Sequence, residues 1–294
     1  MANLRQWECI VRVVESGSFT AASVDVGISQ PALSQQVRSL ELELGGRLFD
    51  RLPRELVLTP LGRVVLPHAR ALLADSRRAL ASARALLHAD AGVLEVATIT
   101  SIGLGVMPGV LEAWFRGHPA TSVNLLEHQT VDAVVASMNA GGADVAITPM
   151  PAAWDGPSVT VGQEEFVVIS ERHHALAGRG SVRMAELAGD PWVHYTADHG
   201  LAGVLDHYAA EAGFEPVVAI RTPQVASVPR YAAAGVGLGL VPSNILDTGF
   251  HGAQLRLDPP RTRLISAYTR SEPDPLVAAF MQTFAEQANL GTTR

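Results

Sequence analysis

The sequence predicts a multi-domain α+β chain: an N-terminal winged helix-turn-helix head, a long linker helix, and a C-terminal two-lobed α/β body. Three observations carry the prediction. Residues 16–44 read as two short helices around a tight turn, the second with one apolar stripe and one polar face. Residues 60–88 are rich in Ala, Leu and Arg and hold no glycine after Gly62. From Val93 onward, apolar β-rich runs alternate with helical runs, the pattern of a parallel sheet with helices on its faces.

Composition sets the outer bounds. A chain of 294 residues suits two or three domains, and 48% apolar content allows each a core. There is no run of 18 apolar residues, so no membrane span and no membrane partner are expected. The first residues enter a periodic segment without a charged and then apolar leader, so no signal peptide is expected. Cys9 is the one cysteine, which excludes an internal disulfide and a Cys-rich metal site and points to a reducing cytoplasm. The net charge of −7 is unevenly spread. Residues 1–90 carry 11 Arg against 9 acidic residues, and residues 91–294 carry 11 Arg against 20. A mildly basic head thus precedes an acidic body. Every basic residue is Arg, which we attribute to genome composition.

Leu4, Trp7, Val11 and Val14 recur at helical spacing and predict a first helix over 3–16. Gly17 ends it, and Ser18 caps a second helix over 19–26. Gly27 stops that one. Ser29 is placed as the N-cap of a third helix over 30–44, with Pro31 suited to its first turn. Leu33, Val37, Leu40 and Leu44 form the stripe to be buried. Gln30, Pro31, Ser34, Gln35 and Arg38 are left on the open face, a set of hydrogen-bonding groups suited to base edges in a major groove. Gln30, Ser34 and Gln35 are expected at base edges or neighbouring phosphates, and Arg38 at a phosphate or a guanine. Residues 48–60 read as a two-stranded wing, with Arg51 and Arg54 near its tip as phosphate contacts.

Thr59 and Pro60 start the long helix. Leu61, Val65, Leu72, Leu80 and Leu87 lie near a seven-residue repeat, an apolar seam that needs a partner and is read as a dimerisation surface. Pro67 is expected to bend this helix or shift its start. Ala91 and Gly92 close it. The body then offers strands at 93–100, 122–128, 143–148, 165–170, 191–196, 217–222, 237–242 and 263–270. Helices are expected between them at 104–116, 131–140, 201–212 and 225–234, and a last one at 276–287. Two α/β lobes with a return crossing follow.

With these residues laid out, the chain resembles the LysR-type transcriptional regulators. The matching residues are Ser18-Phe19-Thr20, Ala22, Ser29 to Ser34 (SQPALS), Leu40-Glu41, Leu44-Gly45, Leu48 to Arg51 (LFDR), Leu58-Thr59 and Gly62. This combination is highly specific and covers about the first 60 residues. Ala143 to Ile147 and AAAGVGLGLVP at 232–242 are similar to the family's effector domain, so the resemblance spans the chain. Ser23 stands where the family has a second alanine and Val26 where it has leucine, both in the second helix and off the reading face. The resemblance implies a periplasmic-binding-protein-like (type II) fold for the body. It also implies a small molecule in the cleft between lobes and a tetramer whose grip on DNA responds to it. Its domains are then 1–59 for DNA binding, with the helix-turn-helix about 18–37, 60–89 for the linker and 90–294 for the effector. Lobe I covers 91–162 plus 266–294 and lobe II 163–265, with crossovers near 161–163 and 264–267.

In that cleft, Thr100 and Ser101 follow the first strand and start a helix whose free N–H groups can receive an anion. Thr148 and Pro149 leave a strand at its carboxyl end, where open α/β sheets bind ligands. His128 and Gln129 end the second strand, and Tyr195, Thr196 and His199 leave the lobe II strand toward a helix. Val225 and Ala226 open another helix. The expected ligand is a small polar or anionic metabolite. The other expected partners are double-stranded promoter DNA with an interrupted inverted repeat, further copies of the chain as homodimer and homotetramer, and RNA polymerase.

Other signals are weak. Gly235, Gly237 and Gly239 precede no helix, so no dinucleotide cofactor is expected. His173, His174, His194, His199 and His207 show no metal-ligand spacing. No nucleophile elbow exists, so no catalytic residue is expected. A lone Cys9 on the first helix does not make a thiol–disulfide sensor within one chain. A solute-binding protein and an enzyme are the rival readings; the missing leader and the winged head oppose the first, and the second needs an acid, base or nucleophile constellation that the sequence does not show.

Overall fold

The computed structural model describes residues 2–52, 55–87, 92–288 and 290. They form two compact units, Met1–Ala89 with Ala136–Ala143, and Asp90–Val135 with Asp144–Arg294.

The head opens with α1 (Leu4–Ser16), started by a capping box in which Asn3 and Gln6 each satisfy the other's backbone N–H. Gly17 ends it in the left-handed conformation, at φ 66°. Ser18 Oγ accepts the Ala21 N–H and starts α2 (Phe19–Val26). The buried face of α1 matches most of the predicted stripe, with Val11 buried and Trp7 and Val14 packed against the core, and widens beyond it. Leu4 is 47% exposed, whereas Gln6, Cys9, Ile10 and Val13 face the core. Gln6 is drawn inward because its Nε2 donates to Ser39 Oγ on the third helix, at 3.1 Å. That helix, α3 (Gln30–Leu44), has the predicted cap at Ser29, and Leu33, Val37 and Leu40 are buried, with Leu44 half-buried. Ser23 and Val26 sit in the same core. Strands β1 (Phe49–Leu52) and β2 (Glu55–Leu58) pair antiparallel as the wing. Phe49 meets Phe19 edge-on at 5.6 Å and ties the wing to α2.

Thr59 Oγ1 accepts the Gly62 N–H and donates to the Arg47 carbonyl, so α4 (Pro60–Leu87) starts where the sequence placed it. Pro67 stands inside α4 on an exposed position and does not displace its start. Ala91, expected at its close, lies outside the described residues.

The body begins with β3 (Gly92–Ile99). The single helix expected over 104–116 is two: α5 (Thr100–Gly105) starts directly at the strand end, and Pro108 restarts the chain as α6 (Met107–Gly117). Then follow β4 (Thr121–His128), α7 (Val131–Asn139) and β5 (Val145–Thr148). The next strands are β6 (Ser158–Ser170), β7 (Ser181–Val182) and β8 (Pro191–Tyr195). Helix α8 (Gly200–Glu211) and β9 (Val217–Thr222) lead to a 3-10 turn (Val225–Ser227) and α9 (Val228–Ala233). Last come β10 (Gly239–Pro242), a 3-10 turn (Ser243–Ile245), β11 (Ala253–Tyr268) and α10 (Pro275–Gln287).

The main sheet runs β10-β6-β11-β5-β3-β4, with β7 on β11, and β8 pairs β9 in parallel beside it. Strands β6 and β11 are twice as long as expected, because they are the crossovers themselves. They pair antiparallel from Ser158–Tyr268 to Ser170–Ala253. In lobe I, β11 pairs β5, and in lobe II, β6 pairs β10. The added halves do alternate, Val159 with Val161 and buried Leu255 with Leu257, but Gly162 and Pro259-Pro260 interrupt the runs and hid their continuity with the expected strands. Lobe II packs around Phe166 to Ile169, Trp192, Leu205, Val228 and Leu240. This core fixes the ends of the two crossing strands, and the cleft lies beside them.

Candidate functional site

In the head, Ser29, Gln30, Pro31, Gln35 and Arg38 are exposed and Ser34 is half-buried. Gln30 Nε2 donates to Ser34 Oγ at 2.9 Å, which holds both side chains on the open face. A groove of about 820 Å³ separates this face from the wing and is lined by Ser34, Arg38, Arg47 and Asp50 among others. Arg47 was not singled out in the sequence. It is exposed between the Gly45-Gly46 stop and the wing, and that basic residue at the helix-to-wing turn was the available signal. Arg51 lies on β1 opposite Leu56. Arg54 lies outside the described residues.

The seam of α4 divides. Val65 is buried with Leu66 and Ala69 in the head core, with Leu61 packed against it. Leu72 and Leu80 are 43% and 57% exposed, an apolar surface with no cover on one chain. Leu87 is the last residue of the helix.

In the body, the lobes meet at two glycines. Gly200 N donates to Gln129 O at 3.0 Å, and a Cβ at Gly200 would stand 3.0 Å from that same oxygen. A Cβ at Gly105 would stand 2.6 Å from the Asn244 carbonyl oxygen. Thr100 Oγ1 donates to His128 O at 3.1 Å, and Ser101 beside it is buried. Arg263 on β11 lies directly opposite Glu164 on β6 and its Nε donates to the fully buried carboxylate. Asn244 Nδ2 donates to the other Glu164 oxygen at 3.0 Å. Arg263 Nη2 reaches Ser101 Oγ at 3.5 Å, and its guanidinium lies over the Phe166 ring.

His199 stacks on Tyr195 with ring centroids 4.7 Å apart. Its Nδ1 accepts the Leu201 N–H at 3.1 Å, so the neutral ring carries its proton on Nε2. That Nε2 is buried and donates to nothing among the described residues, as is true of buried His128 Nε2. Desolvation holds the His199 pKa below its ordinary value, with Asp198 opposing and the Arg263 charge assisting. Burial pushes the Tyr195 phenol above its ordinary range, against the same Arg263 charge.

Other expected contacts are already engaged. Thr148 is buried, donates to Pro149 O and shares a 3.1 Å contact with Tyr268 OH. The first N–H groups of α8 are taken by Gln129 O and by His199 itself. Thr196 differs: its N–H is bonded to Thr222 O, but its Oγ1 is buried with no partner among the described residues. Val225 is in the lobe II core, and Ala226 lines a separate groove of about 290 Å³ with Leu104 and Phe250. Among the described residues, no group of three or more His, Cys, Asp or Glu is placed to hold a metal ion.

Comparison with known proteins decides the family. Residues 4–63 match the bacterial regulatory helix-turn-helix protein of the lysR family, and residues 88–289 match the LysR substrate binding domain. The chain belongs to the LysR family of transcriptional regulators. A relative, the uncharacterized HTH-type regulator YwbI of Bacillus subtilis, is 31% identical over 83% of this chain and 81% of its own. The fold of this LysR-type regulator is that of a full-length OxyR variant from Pseudomonas aeruginosa, at TM-score 0.78 and 20% identity over 99% and 97% of the two chains. It is likewise that of CbnR complexed with its target DNA, at TM-score 0.71 and 23% identity over 97% and 100%. No helix among its described residues is long and apolar enough to cross a membrane.

Arg263, Glu164 and Asn244 were missed in the sequence of this regulator. The signal was present as complementary charge: GQEEFVV at 162–168 and PPRTRLI at 259–265 are the paired segments of the two crossovers. Without knowing that these strands pair, each charge reads as a solvated surface group.

Proposed function

We propose that this regulator reads an interrupted inverted repeat in double-stranded promoter DNA and that a small polar or anionic metabolite in the body's cleft modulates that binding. Residues 1–59 bind DNA, 60–89 link and dimerise, and 90–294 receive the effector. Leu72 and Leu80 form the seam of a homodimer, doubled to a homotetramer, which works in the cytoplasm with RNA polymerase as its further partner. The effector meets residues along the lobe contact, Ser101 and His199 first among them. No catalytic residue, metal or cofactor enters this reading. The one thiol, Cys9, is buried in the head, and burial raises its pKa, so the effector body has no cysteine with which to sense oxidants.

The carrying observation is the open face of α3, which exposes Gln30, Gln35 and Arg38 and whose Ser34 and Arg38 border a groove lined on its other side by the wing. Base edges are read by such groups, and phosphates by the Arg residues beside them. The test is a gel shift with DNA upstream of the gene across a salt series. Gln35→Ala is expected to lose sequence preference, about 1–3 kcal/mol at one base pair. Arg47→Ala is expected to weaken all sequences alike and lower the log–log salt slope by about 1. Equal loss on specific and random DNA for Gln35→Ala removes it from base reading.

A further inference from the structure

The polar contacts at the entrance to the wing converge on one peptide group. The unit joining Arg47 to Leu48 is held at both ends. Its N–H donates to Glu41 Oε1 on α3 at 2.8 Å. Its C=O accepts from Thr59 Oγ1, at the start of α4, at 2.6 Å. The same hydroxyl accepts the Gly62 N–H at 3.0 Å, and the Thr59 N–H donates to Leu48 O at 3.0 Å. A peptide group is planar and rigid. Glu41 near the end of the reading helix and Thr59 at the start of the linker helix are therefore joined through one stiff plate. Leu48 is 1% exposed and Thr59 8%, so burial shields the plate from water. There the carboxylate polarises the amide and strengthens the bond at its far end. The α4 side leaves no slack, because a Cβ at Gly62 would run into the Leu48 carbonyl oxygen. The apolar core shared by Leu33, Val37 and Leu40 with Val65, Leu66 and Ala69 attracts without a preferred direction, whereas these hydrogen bonds are directional. Glu41 also lines the groove beside Arg38 and Arg47. A carboxylate there works against phosphate binding, so its presence is accounted for by the bond it makes inward.

We propose that Glu41 is a positioning residue for DNA reading. Through the Arg47–Leu48 peptide it fixes α3 against α4, and so sets the half-site spacing that a dimer accepts. This rests on the two-fold seam read on α4. Half-sites one base pair further apart are displaced by about 3.4 Å and rotated by about 34–36° around the duplex. Only a head whose α3-to-α4 angle is fixed discriminates sharply between such neighbours.

The test uses the full chain and a half-site selected from random duplexes with the wild-type protein. Inverted repeats of that half-site are built with a spacer that grows one base pair at a time, and the single half-site serves as control. Dissociation constants are read at one salt concentration. Wild type should lose about tenfold or more in affinity one base pair from its best spacer. Glu41→Leu removes the acceptor, and the difference between neighbouring spacers should shrink to about threefold or less. Glu41→Gln loses the same charge but keeps an oxygen for the Leu48 N–H, so it should restore the steep profile. Any gain from losing a negative charge is common to both variants and uniform across spacers. Thr59→Val breaks the other end of the plate, should flatten the profile as well, and serves if Glu41→Leu does not fold. A steep profile in both Glu41→Leu and Thr59→Val overturns the proposal, as does a profile that Glu41→Gln flattens as much as Glu41→Leu. A uniform loss at every spacer and on the single half-site makes Glu41 a stability residue alone and overturns it too. If wild type has no best spacer, the two-fold reading of α4 falls, and this inference falls with it.

Discussion

Gly103 and Gly105 stand two residues apart on α5, and a methyl group meets very different neighbours at each. At Gly103 it would stand 1.8 Å from Glu127 Oε1, the far end of an exposed side chain that can rotate away. At Gly105 it would stand 2.6 and 2.7 Å from the Asn244 carbonyl oxygen and carbon, which move only with the backbone. Alanine also favours a helix over glycine by roughly 0.5–1 kcal/mol. Gly103→Ala is therefore expected to be neutral or slightly stabilising in urea denaturation. Gly105→Ala should cost about 1–3 kcal/mol, the usual scale of overpacking. Equal effects would mean that the lobes are not held together at Asn244. The same residue-level reading separates Thr148 from Ser101. Both are buried hydroxyls in the expected cleft, but Thr148 is engaged by Pro149 and Tyr268, whereas Ser101 meets only an extended contact from Arg263. Their burial is alike, and only the partner geometry distinguishes them.

Elements in this chain start and stop where short-range chemistry dictates, and Thr59 shows it most fully. Its hydroxyl caps α4 at Gly62 and also donates to Arg47 O at the entrance to the wing, at 2.6 Å. Thr59→Val keeps the shape, removes both bonds and leaves a carbonyl and an N–H unsatisfied. A loss of about 1–2 kcal/mol is expected, and Thr59→Ser should restore most of it. Denaturant midpoints of the two variants decide whether the hydroxyl or the methyl holds this junction. Such caps explain how much of the fold was legible. Ser18, Ser29 and Thr59 with Gly17, Gly27 and Gly45 bound their helices within a few residues, so the head could be read closely. The burial of Gln6 on α1 could not, because it depends on a bond to Ser39, 33 positions away. The long halves of β6 and β11 were hidden for the same reason. Their pairing joins residues such as Glu164 and Arg263, 99 positions apart, and Gly162 and Pro259-Pro260 break the local alternation of each strand. The expected cleft residues stand at strand ends and helix starts, which local signals could mark, whereas the Glu164–Arg263 pair is made by long-range pairing and could not be read.

At the scale of the whole molecule, a head with a small excess of Arg is carried by an acidic body, within a net charge of −7. Nonspecific attraction to DNA is then confined to the head, and operator affinity has to come from specific contacts and from assembly. If the cleft ligand modulates that affinity, the two binding events share one coupling free energy, and the coupling is reciprocal. An effector that changes operator affinity by a given factor must find its own affinity changed by the same factor when operator is bound. Couplings of this kind are typically about 5–150-fold, which is large enough to measure from both directions. One measurement is the operator dissociation constant by gel shift or anisotropy at zero and at saturating levels of a small anion, benzoate or inorganic phosphate, that raises the thermal midpoint. The other is the dissociation constant of that anion by calorimetry, with and without saturating operator, at the same salt and protein concentration. Equal factors in the same direction are expected. Unequal factors would show that a third equilibrium intervenes, and a change of oligomeric state is the first to check, because the proposed seam of exposed Leu72 and Leu80 would assemble by mass action. Repeating both titrations at a tenfold higher protein concentration separates the cases: coupling within a fixed assembly is indifferent to it, and coupling through assembly is not.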